Sequence, residues 1–273
     1  AAEQACMRDL AGKSLEFRGK LGISAHGNYE LSRARSTVSI LPQPLAATFD
    51  RLAGAILPGS CLLCGADAGR GLICAGCTVD LPPAPDPACP QCGEATTHGE
   101  RCGACLKDPP NFARAVALFR YEFPVDRIIH ALKYAHRLPV AAWLGACLAD
   151  RLADAPPELV VPLPLHPTRL RERGFNQSAE IARALARCLG RPLDVRNVVR
   201  TRSTPPQAGL PLKERSGNVR GAFECRSDLG GRSVLLVDDV MTSGATLREC
   251  ARILRLHGAG LITVAVAARA LRH

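Results

Sequence analysis

The sequence predicts an α/β protein with a parallel sheet, preceded by a small module rich in cysteine. In the C-terminal part, short apolar stretches of strand length alternate with longer stretches of helical periodicity. Alternation of this kind is typical of a parallel sheet with helices between its strands. In the N-terminal part, eight cysteines occur in four C-x2-C pairs between residues 61 and 105. The cysteine pairs indicate a metal-binding module that is distinct from the sheet.

The predicted elements follow in chain order. Residues 1–44 have no sustained period and are expected to form a poorly ordered extension, whereas residues 45–57 have the spacing of an amphipathic helix that ends at Pro58. Beyond the cysteines we expect a strand or hairpin at 111–121, two helices within 123–152 that separate near Leu138-Pro139, a strand at 159–163, a helix at 177–188, a long loop at 201–233 with a short strand near 222–223, a strand at 234–237, a helix at 245–257 and a last strand at 261–267. These elements predict an extension at 1–44, a helix with the cysteine module at 45–110, and an α/β domain at 111–273.

Composition and charge narrow the class of protein. A hydrophobic share of 47% is sufficient for a core, and the chain has no run of about 20 apolar residues, so no membrane span is predicted. Charged residues interrupt the N-terminal region, which does not resemble a secretory signal, and a cytoplasmic location is the expectation. Residues 111–273 hold 25 Lys and Arg against 14 Asp and Glu, which predicts an anionic partner such as a polyphosphate or a nucleic acid.

The cysteine module repeats a C-x2-C-x9-C-x2-C pattern after 28 positions. Two such knuckles provide the four thiolates of a tetrahedral zinc site, so the module predicts two structural zinc ions, one in each 17-residue repeat. A cross-braced pairing of the knuckles and an iron–sulfur cluster are alternatives, whereas disulfides do not suit a reducing compartment. The predicted ligands are Cys61, Cys64, Cys74, Cys77, Cys89, Cys92, Cys102 and Cys105.

The segment 234–246 combines a buried strand, two acids and a loop of small residues that leads into a helix. Asp238 and Asp239 follow the apolar strand at its carboxyl end, where ligands bind in open α/β sheets. The free N–H groups at the start of a helix favour a phosphate, and the paired acids suit ribose hydroxyls or a magnesium-bound polyol. The loop residues are Thr242, Ser243, Gly244, Ala245 and Thr246. The segment therefore predicts a site for a ribose 5-phosphate, although a solvated Asp-Asp turn would be the simpler alternative for either half alone.

A second segment, residues 160–177, places a proline-rich turn and several arginines after a predicted strand. Arg169, Arg171 and Arg173 follow Leu165 and His166, and a guanidinium matches the geometry of phosphate oxygens. The alternative is an exposed basic helix that ends in a turn at Gly174.

These motifs together resemble a known family. The 234–246 segment has the form of the signature of type I phosphoribosyltransferases for 5-phosphoribosyl 1-diphosphate (PRPP). The string from Pro162 to Gln177, the tripeptide at 132–134, the segment 206–223 and the cysteine knuckles resemble the competence protein F (ComF) family. The resemblance covers roughly residues 45–270, with Ser243 at a position where a second Thr is common, and the first 44 residues have no counterpart.

The resemblance implies a type I phosphoribosyltransferase fold, with a hood at 111–158 and a core at 159–273, after a double zinc ribbon. It implies that Asp238 and Asp239 hold the ribose hydroxyls and that residues 242–246 surround the 5-phosphate. Leu163 to Pro167, with Arg169 and Arg173, would bind the diphosphate. A flexible lid at 201–221 would close over it with Lys213, Arg215 or Arg220, and Lys133 with Tyr134 would cap the site unless Lys133 is an exposed helix lysine.

Two functions remain open on these grounds. The first is a Mg²⁺-dependent enzyme that transfers a phosphoribosyl group from PRPP to a nucleophile that the sequence does not identify. The second is a non-catalytic module that grips single-stranded DNA or recruits proteins of the DNA-uptake machinery, in line with the family's association with natural transformation. The absence of a glutaminase domain disfavours glutamine-dependent amide transfer.

Overall fold

The computed structural model describes residues 59–69, 71–203 and 219–271. The chain divides into two compact units between Val79 and Asp80. The first ribbon repeat, with helix α1 (Ala75–Val79), belongs to the first unit, and the second repeat belongs to the larger unit together with the sheet. The predicted helix at 45–57 and the extension at 1–44 lie outside the described residues.

The larger unit is built on a four-stranded parallel sheet. After α2 (Gly103–Lys107), its elements are β1 (Arg114–Arg120), α3 (Val125–Tyr134), α4 (Leu138–Leu152), β2 (Leu159–Pro162), α5 (Pro167–Arg173), α6 (Gln177–Leu189), β3 (Val198–Arg200), β4 (Phe223–Cys225), β5 (Val234–Met241), α7 (Ala245–Leu256) and β6 (Ile262–Arg269). The strand order is β1-β6-β5-β2, and β3 pairs with β4 in a separate antiparallel pair. The predicted α/β class with a parallel sheet is confirmed.

The central strands are apolar because helices cover both of their faces. Every residue of β2 and β6 is buried, as is every residue of β5 except Val240. Helices α4 and α6 approach each other closely at Gly145, where an added Cβ would lie 2.6 Å from Ala184 Cβ. No side chain larger than hydrogen fits there without displacing the neighbouring helix.

Three elements differ from the sequence prediction in detail. Strand β5 continues to Met241, four residues beyond the predicted end, because β6 continues alongside it and pairs Met241 with Arg269. The break between α3 and α4 falls at 135–137, where His136 adopts a φ of 50°, and Pro139 lies in the first turn of α4, where a proline costs no hydrogen bond. Strand β3 was not predicted, since three residues are too few to show a period.

The described residues contain no helix that is long and apolar enough to cross a membrane.

Candidate functional site

The eight paired cysteines form two clusters of four. Cys61, Cys64, Cys74 and Cys77 form one cluster, and Cys89, Cys92, Cys102 and Cys105 form the other, with the Sγ atoms of each cluster within 4.8 Å of one another. The Sγ atoms of Cys64 and Cys74 are 3.7 Å apart, and those of Cys92 and Cys102 are 3.6 Å apart. A tetrahedral zinc ion with Zn–S bonds of about 2.3 Å requires S···S separations of about 3.8 Å. The donor sets therefore fit one zinc per repeat, and the cross-braced alternative is not the arrangement observed.

Backbone amides prepare one thiol in each cluster for metal binding. Burial opposes ionisation of Cys61, but N–H groups of Cys74, Cys64 and Leu63 outweigh it and lower its pKa to about 6. Cys89 follows the same pattern, and its pKa is lowered to about 7. Because thiolates are the form that binds zinc, these amides favour the metal-bound state. Four thiolate ligands leave no open coordination position, which indicates a structural role.

The two clusters differ in their surroundings. In the first, Cys64 is exposed and only Cys61 is buried. In the second, Cys89, Cys92 and Cys105 are buried and belong to the same hydrophobic cluster as Leu247 and Val266 of the sheet unit. The second repeat is thus part of the core that supports the predicted ligand site.

The two acids of β5 contact different helices, as expected for adjacent strand residues whose side chains point to opposite sides. Asp238 Oδ1 accepts hydrogen bonds from Ser178 Oγ at 2.8 Å, at the start of α6, and from the Asp239 amide at 2.9 Å. Asp239 Oδ2 forms an ion pair with Lys133 Nζ of α3 at 2.8 Å. Both carboxylates are buried, at 8% and 4% exposure. Lys133 is therefore not an exposed helix lysine but part of the acid pair's environment.

The electrostatics of this cluster are dominated by burial. Desolvation, together with the neighbouring Asp239, raises the pKa of Asp238 to about 7, although Ser178 and Lys133 act in the opposite direction. Burial acts to lower the pKa of Lys133, but the charges of Asp239 and Asp238 outweigh it, so that its pKa is raised and the ammonium form is held. The cluster thus holds one cation that pairs with Asp239, beside an Asp238 carboxyl whose pKa is raised to about 7 by its burial.

The loop predicted for the 5-phosphate connects β5 to α7. Gly244 is the N-cap of α7 and adopts a φ of 77°, and a Cβ at this position would lie 2.9 Å from Met241 Cε. The left-handed backbone therefore favours glycine, and a larger residue would also have to displace the Met241 methyl group. Ser243 Oγ accepts a hydrogen bond from the Ala245 amide at 3.3 Å. The loop thus follows the strand that carries the two acids, and its predicted role in holding a 5-phosphate stays a prediction.

The second predicted segment lies at the end of the neighbouring strand β2. The Leu163 amide donates to Val237 O at 2.8 Å, and Asn176 Nδ2 donates to Leu163 O at 3.0 Å, which fixes the turn beside β5. Leu165 is half-buried, and His166 caps α5 by accepting a hydrogen bond from the Thr168 amide. Residues 167–173 form a short helix that ends at Gly174, with a φ of 80°.

The arginines of this helix face different partners. Arg169 pairs with Glu172 at 3.2 Å with both side chains about half exposed, whereas Arg173 donates to Gln177 Oε1 at 2.7 Å and lies 5.6 Å from the ring centroid of Tyr134. The structure thus places Arg173 beside the predicted cap and leaves Arg169 at the surface.

Lys213 and Arg215 lie outside the described residues, and their predicted role stays a prediction. The described residues on either side of 204–218 are paired, because Thr201 N donates to Ala222 O at 3.0 Å and β3 pairs with β4. The Gly221 amide also donates to Glu249 Oε1 of α7 at 2.7 Å. The predicted lid therefore begins and ends at a fixed antiparallel stem.

Sequence reasoning missed several residues of the site. Arg200, at the end of β3, is close enough to Asp238 that their charges interact, and burial lowers its pKa despite that acid. Arg269, at the end of β6, is 1% exposed and donates to the carbonyl of Thr242, in the loop predicted for the 5-phosphate. A signal existed for Arg269, since an arginine that ends a strand composed almost entirely of apolar residues has to meet buried acceptors.

Comparison with known proteins agrees with this architecture. A double zinc ribbon domain matches residues 52–106, and a phosphoribosyl transferase domain matches residues 176–272. The DNA utilization protein YhgH of Escherichia coli is 35% identical over 218 residues, which are 76% of this chain and 96% of that protein. Competence protein F of Haemophilus influenzae is 33% identical over 210 residues, covering 72% of this chain and 90% of that protein.

Solved structures give weaker matches. The glutamine PRPP amidotransferase of B. subtilis has 24% identity and a TM-score of 0.33, covering 46% of this chain and 25% of that one. The purine phosphoribosyltransferase of Pyrococcus horikoshii has 21% identity and a TM-score of 0.31, covering 57% and 77%. At these scores the matches carry no argument about function. The relatives, the two domain matches, the cysteine clusters and the parallel sheet together show that the chain belongs to the competence protein F (ComF) family, in which a double zinc ribbon precedes a phosphoribosyltransferase-type domain.

Proposed function

We propose that this protein binds PRPP, or a related ribose phosphate, together with Mg²⁺ at the carboxyl end of β5, and that this binding serves DNA uptake or DNA use. The observation that carries the proposal is the arrangement of Asp238 and Asp239 in the second half of β5, which leads into the glycine-capped loop that opens α7. The biological role is suggested by the relatives, which are named for DNA utilization and for competence.

Different groups would hold different parts of PRPP. The backbone N–H groups of 242–246 and the hydroxyl of Thr242 would bind the 5-phosphate, since the start of a helix favours an anion. Asp239 would accept a hydrogen bond from a ribose hydroxyl while it keeps Lys133 as its counter-ion. The diphosphate would lie toward Leu165, His166 and the arginines of α5, where the neighbouring strand ends.

Mg²⁺ would enter with the diphosphate and its water shell. The ion usually keeps several waters and binds through one or two carboxylates and substrate phosphates. Asp239 accepts from the Val240 amide and pairs with Lys133, and Asp238 Oδ1 accepts two hydrogen bonds, so neither acid offers two free oxygens. The donor set therefore suits hydroxyl recognition by the acids and metal recognition by the ligand's own phosphates.

Calorimetry with the separate pieces of PRPP tests the assignment. We expect Thr242→Val to weaken PRPP and ribose 5-phosphate but not pyrophosphate, and Arg169→Gln to weaken PRPP and pyrophosphate but not ribose 5-phosphate. A lost hydrogen bond to a charged group corresponds to about 10- to 100-fold in affinity. Asp239→Asn should weaken both ligands that contain ribose.

Asp150→Asn is the control, because Asp150 is an exposed acid on α4 away from β5. Wild-type protein that binds neither PRPP nor ribose 5-phosphate in the presence of Mg²⁺ would refute the proposal. Equal effects of Asp239→Asn and Asp150→Asn would refute the role of the acid pair.

Transfer chemistry is part of the same proposal. An oxocarbenium-like transition state forms when the diphosphate leaves, and closure of the predicted lid with Lys213 and Arg215 would exclude water and stabilise the departing charge. Transfer activity is measured as the release of pyrophosphate from PRPP when candidate acceptor bases are added. Binding without pyrophosphate release across the acceptor panel would leave a PRPP-binding protein and rule out the tested transfers.

Single-stranded DNA binding by a non-catalytic module is the second candidate function. A small aromatic and basic group favours it: Tyr134 is 62% exposed, Arg173 lies over its ring, and His136 contacts Phe175 edge-on with ring centroids 5.4 Å apart. Bases stack on exposed aromatic rings, and cations contact the backbone. Gel shifts over a salt series with wild type and Tyr134→Ala test it, and affinity that is independent of salt would exclude phosphate contacts.

A further inference from the structure

Arg269 connects the second ribbon repeat to the 5-phosphate loop. Its guanidinium is almost fully buried at the end of β6, opposite Met241 in the strand register. Nη2 pairs with Glu94 Oε2 at 2.7 Å, and Nε donates to Cys92 O at 3.2 Å. Nη1 donates to Met241 O at 3.0 Å and to Thr242 O, the carbonyl that opens the loop. One side chain thus joins two ribbon residues to the first residues of the loop.

The chemistry of a buried guanidinium makes this connection rigid. An arginine out of water must have its N–H groups satisfied, and its planar fork fixes the direction of each donor. The acceptors on the ribbon side are the carboxylate of Glu94 and the carbonyl of Cys92, so displacement of the knuckle leaves a buried charge unpaired. The carbonyls of Met241 and Thr242 must then move with Arg269 or lose their donor.

A second connection joins the same repeat to α7. Arg248, in the first turns of that helix, donates to the carbonyl and carboxylate of Asp108, the latter at 3.0 Å. Asp108 is the C-cap residue of α2, the helix that carries Cys105. One end of the phosphate loop, at Thr242, is therefore linked through Arg269 to Cys92 and Glu94, and the start of α7 is linked through Arg248 to Asp108, three residues after Cys105.

We infer that the second zinc ribbon is a structural support of the 5-phosphate loop and that Arg269 is the positioning residue through which it acts. With zinc bound, the knuckle at Cys89–Cys92 holds Glu94 and the Cys92 carbonyl in place, and Arg269 transmits that order to residues 241–246. Loss of the zinc or of the guanidinium loosens the loop. The expected consequence for PRPP affinity rests on the proposed function, whereas the effect on loop order does not.

Hydrogen–deuterium exchange of the ligand-free protein tests the inference. We expect Arg269→Gln to raise exchange of the hydrogen-bonded amides around the loop, those of Ala245, Arg248 and Ala270, by about tenfold or more, because local opening is set by local contacts. Arg269→Lys keeps the charge but not the fork and should give most of the same effect. Arg255→Gln is the matched control, since Arg255 also donates to backbone carbonyls, at the other end of α7, and less than about twofold is expected there.

The zinc arm uses Cys102→Ser, with the zinc content measured directly, and Cys225→Ser as a buried cysteine outside the clusters. Cys102→Ser should lose one zinc and raise loop exchange as Arg269→Gln does, and Cys225→Ser should do neither. The double variant Cys102→Ser/Arg269→Gln should exceed the single variants only slightly, because both remove the same connection. If Arg269→Gln fails to fold, Glu94→Gln, which leaves the arginine in place, provides the same measurement.

The outcomes separate this inference from the proposed function. Unchanged loop exchange in folded Arg269→Gln or in folded Glu94→Gln overturns the inference, whatever the protein binds. If loop exchange is raised in the variants but the wild-type protein binds no PRPP, the structural role of the ribbon is supported and the proposed ligand is refuted. Raised exchange together with weaker PRPP binding in Arg269→Gln, and unchanged binding in Arg255→Gln, supports both.

Discussion

Replacing Lys133 by Met isolates the contribution of the buried ion pair to stability. Methionine keeps an unbranched apolar side chain of similar length and removes the ammonium, so Asp239 and Asp238 are left without that cation. The Lys133 side chain is 19% exposed and that of Asp239 is 6% exposed, with 2.8 Å between Nζ and Oδ2. Both partners are therefore largely withdrawn from solvent screening.

The expected magnitude follows from this geometry. Coulomb's law with an effective dielectric constant of about 20 gives about 6 kcal/mol of attraction at this distance. The desolvation cost of burying the ammonium offsets part of this attraction. Removal of one partner of a buried pair therefore typically costs about 3–5 kcal/mol. We expect a loss of about 3–5 kcal/mol in the free energy of unfolding at pH 8.5.

The loss should shrink as the pH falls. Lys133 has a raised pKa, so its stabilising charge is present at both pH 5.5 and pH 8.5 and disappears only above its ordinary range. The pH dependence comes from the acids: the pKa of Asp238 is already raised to about 7, and loss of Lys133 raises it further. An acid with a raised pKa stabilises the fold in its protonated form, so the variant regains part of its unfolding free energy at pH 5.5. We expect a loss of about 1–2 kcal/mol there.

Urea unfolding followed by the fluorescence of Trp143 measures both values. Trp143 is the only tryptophan in the chain and stacks on Phe119 with ring centroids 5.8 Å apart, so its signal reports on the sheet unit. The double variant Lys133→Met/Asp239→Asn should recover part of the loss at pH 8.5 because it removes the orphaned charge. A loss that is equal at the two pH values would refute the reasoning.

Three further predictions concern the acid pair, the loop and the zinc clusters. Wild type should lose stability between pH 4.5 and 8, because a carboxyl with a raised pKa stabilises the fold at low pH and less as pH passes 7. Asp238→Asn should make this loss smaller by about 2–4 kcal/mol in the same urea series. An unchanged slope of unfolding free energy against pH would contradict the assignment. Gly244→Ala should cost about 2 kcal/mol in thermal unfolding and Gly174→Ala about 1 kcal/mol, since both have positive φ but only Gly244 also meets Met241; equal costs would contradict the contact. Chelator-driven zinc release, followed with a metal indicator, should show two phases, the faster from the exposed Cys64 cluster, and one uniform phase would show that burial does not protect the second cluster.

The ligand-facing core could be predicted because its signals are local. Strand, acids, loop and helix are contiguous from Val234 to Leu256, and the cysteine spacing identifies both clusters without knowledge of the fold. The sequence could not predict contacts between residues that lie far apart along the chain. Lys133 lies 106 positions before Asp239, and Glu94 lies 175 positions before Arg269. No periodicity connects such pairs, so only the folded sheet reveals that they meet.

Burial of Glu94 and Cys92 against the end of β6 has a consequence for how this protein can be divided. A shortened chain that starts at residue 111, after what looks like a complete zinc-binding module, would strip Arg269 of its carboxylate and one of its carbonyl acceptors and leave a buried charge. A chain that starts at Asp80 would keep them, because the two ribbon repeats, equal in spacing, belong to different compact units. Division of the chain at residue 111 would therefore separate the second repeat from the sheet with which it forms one compact unit.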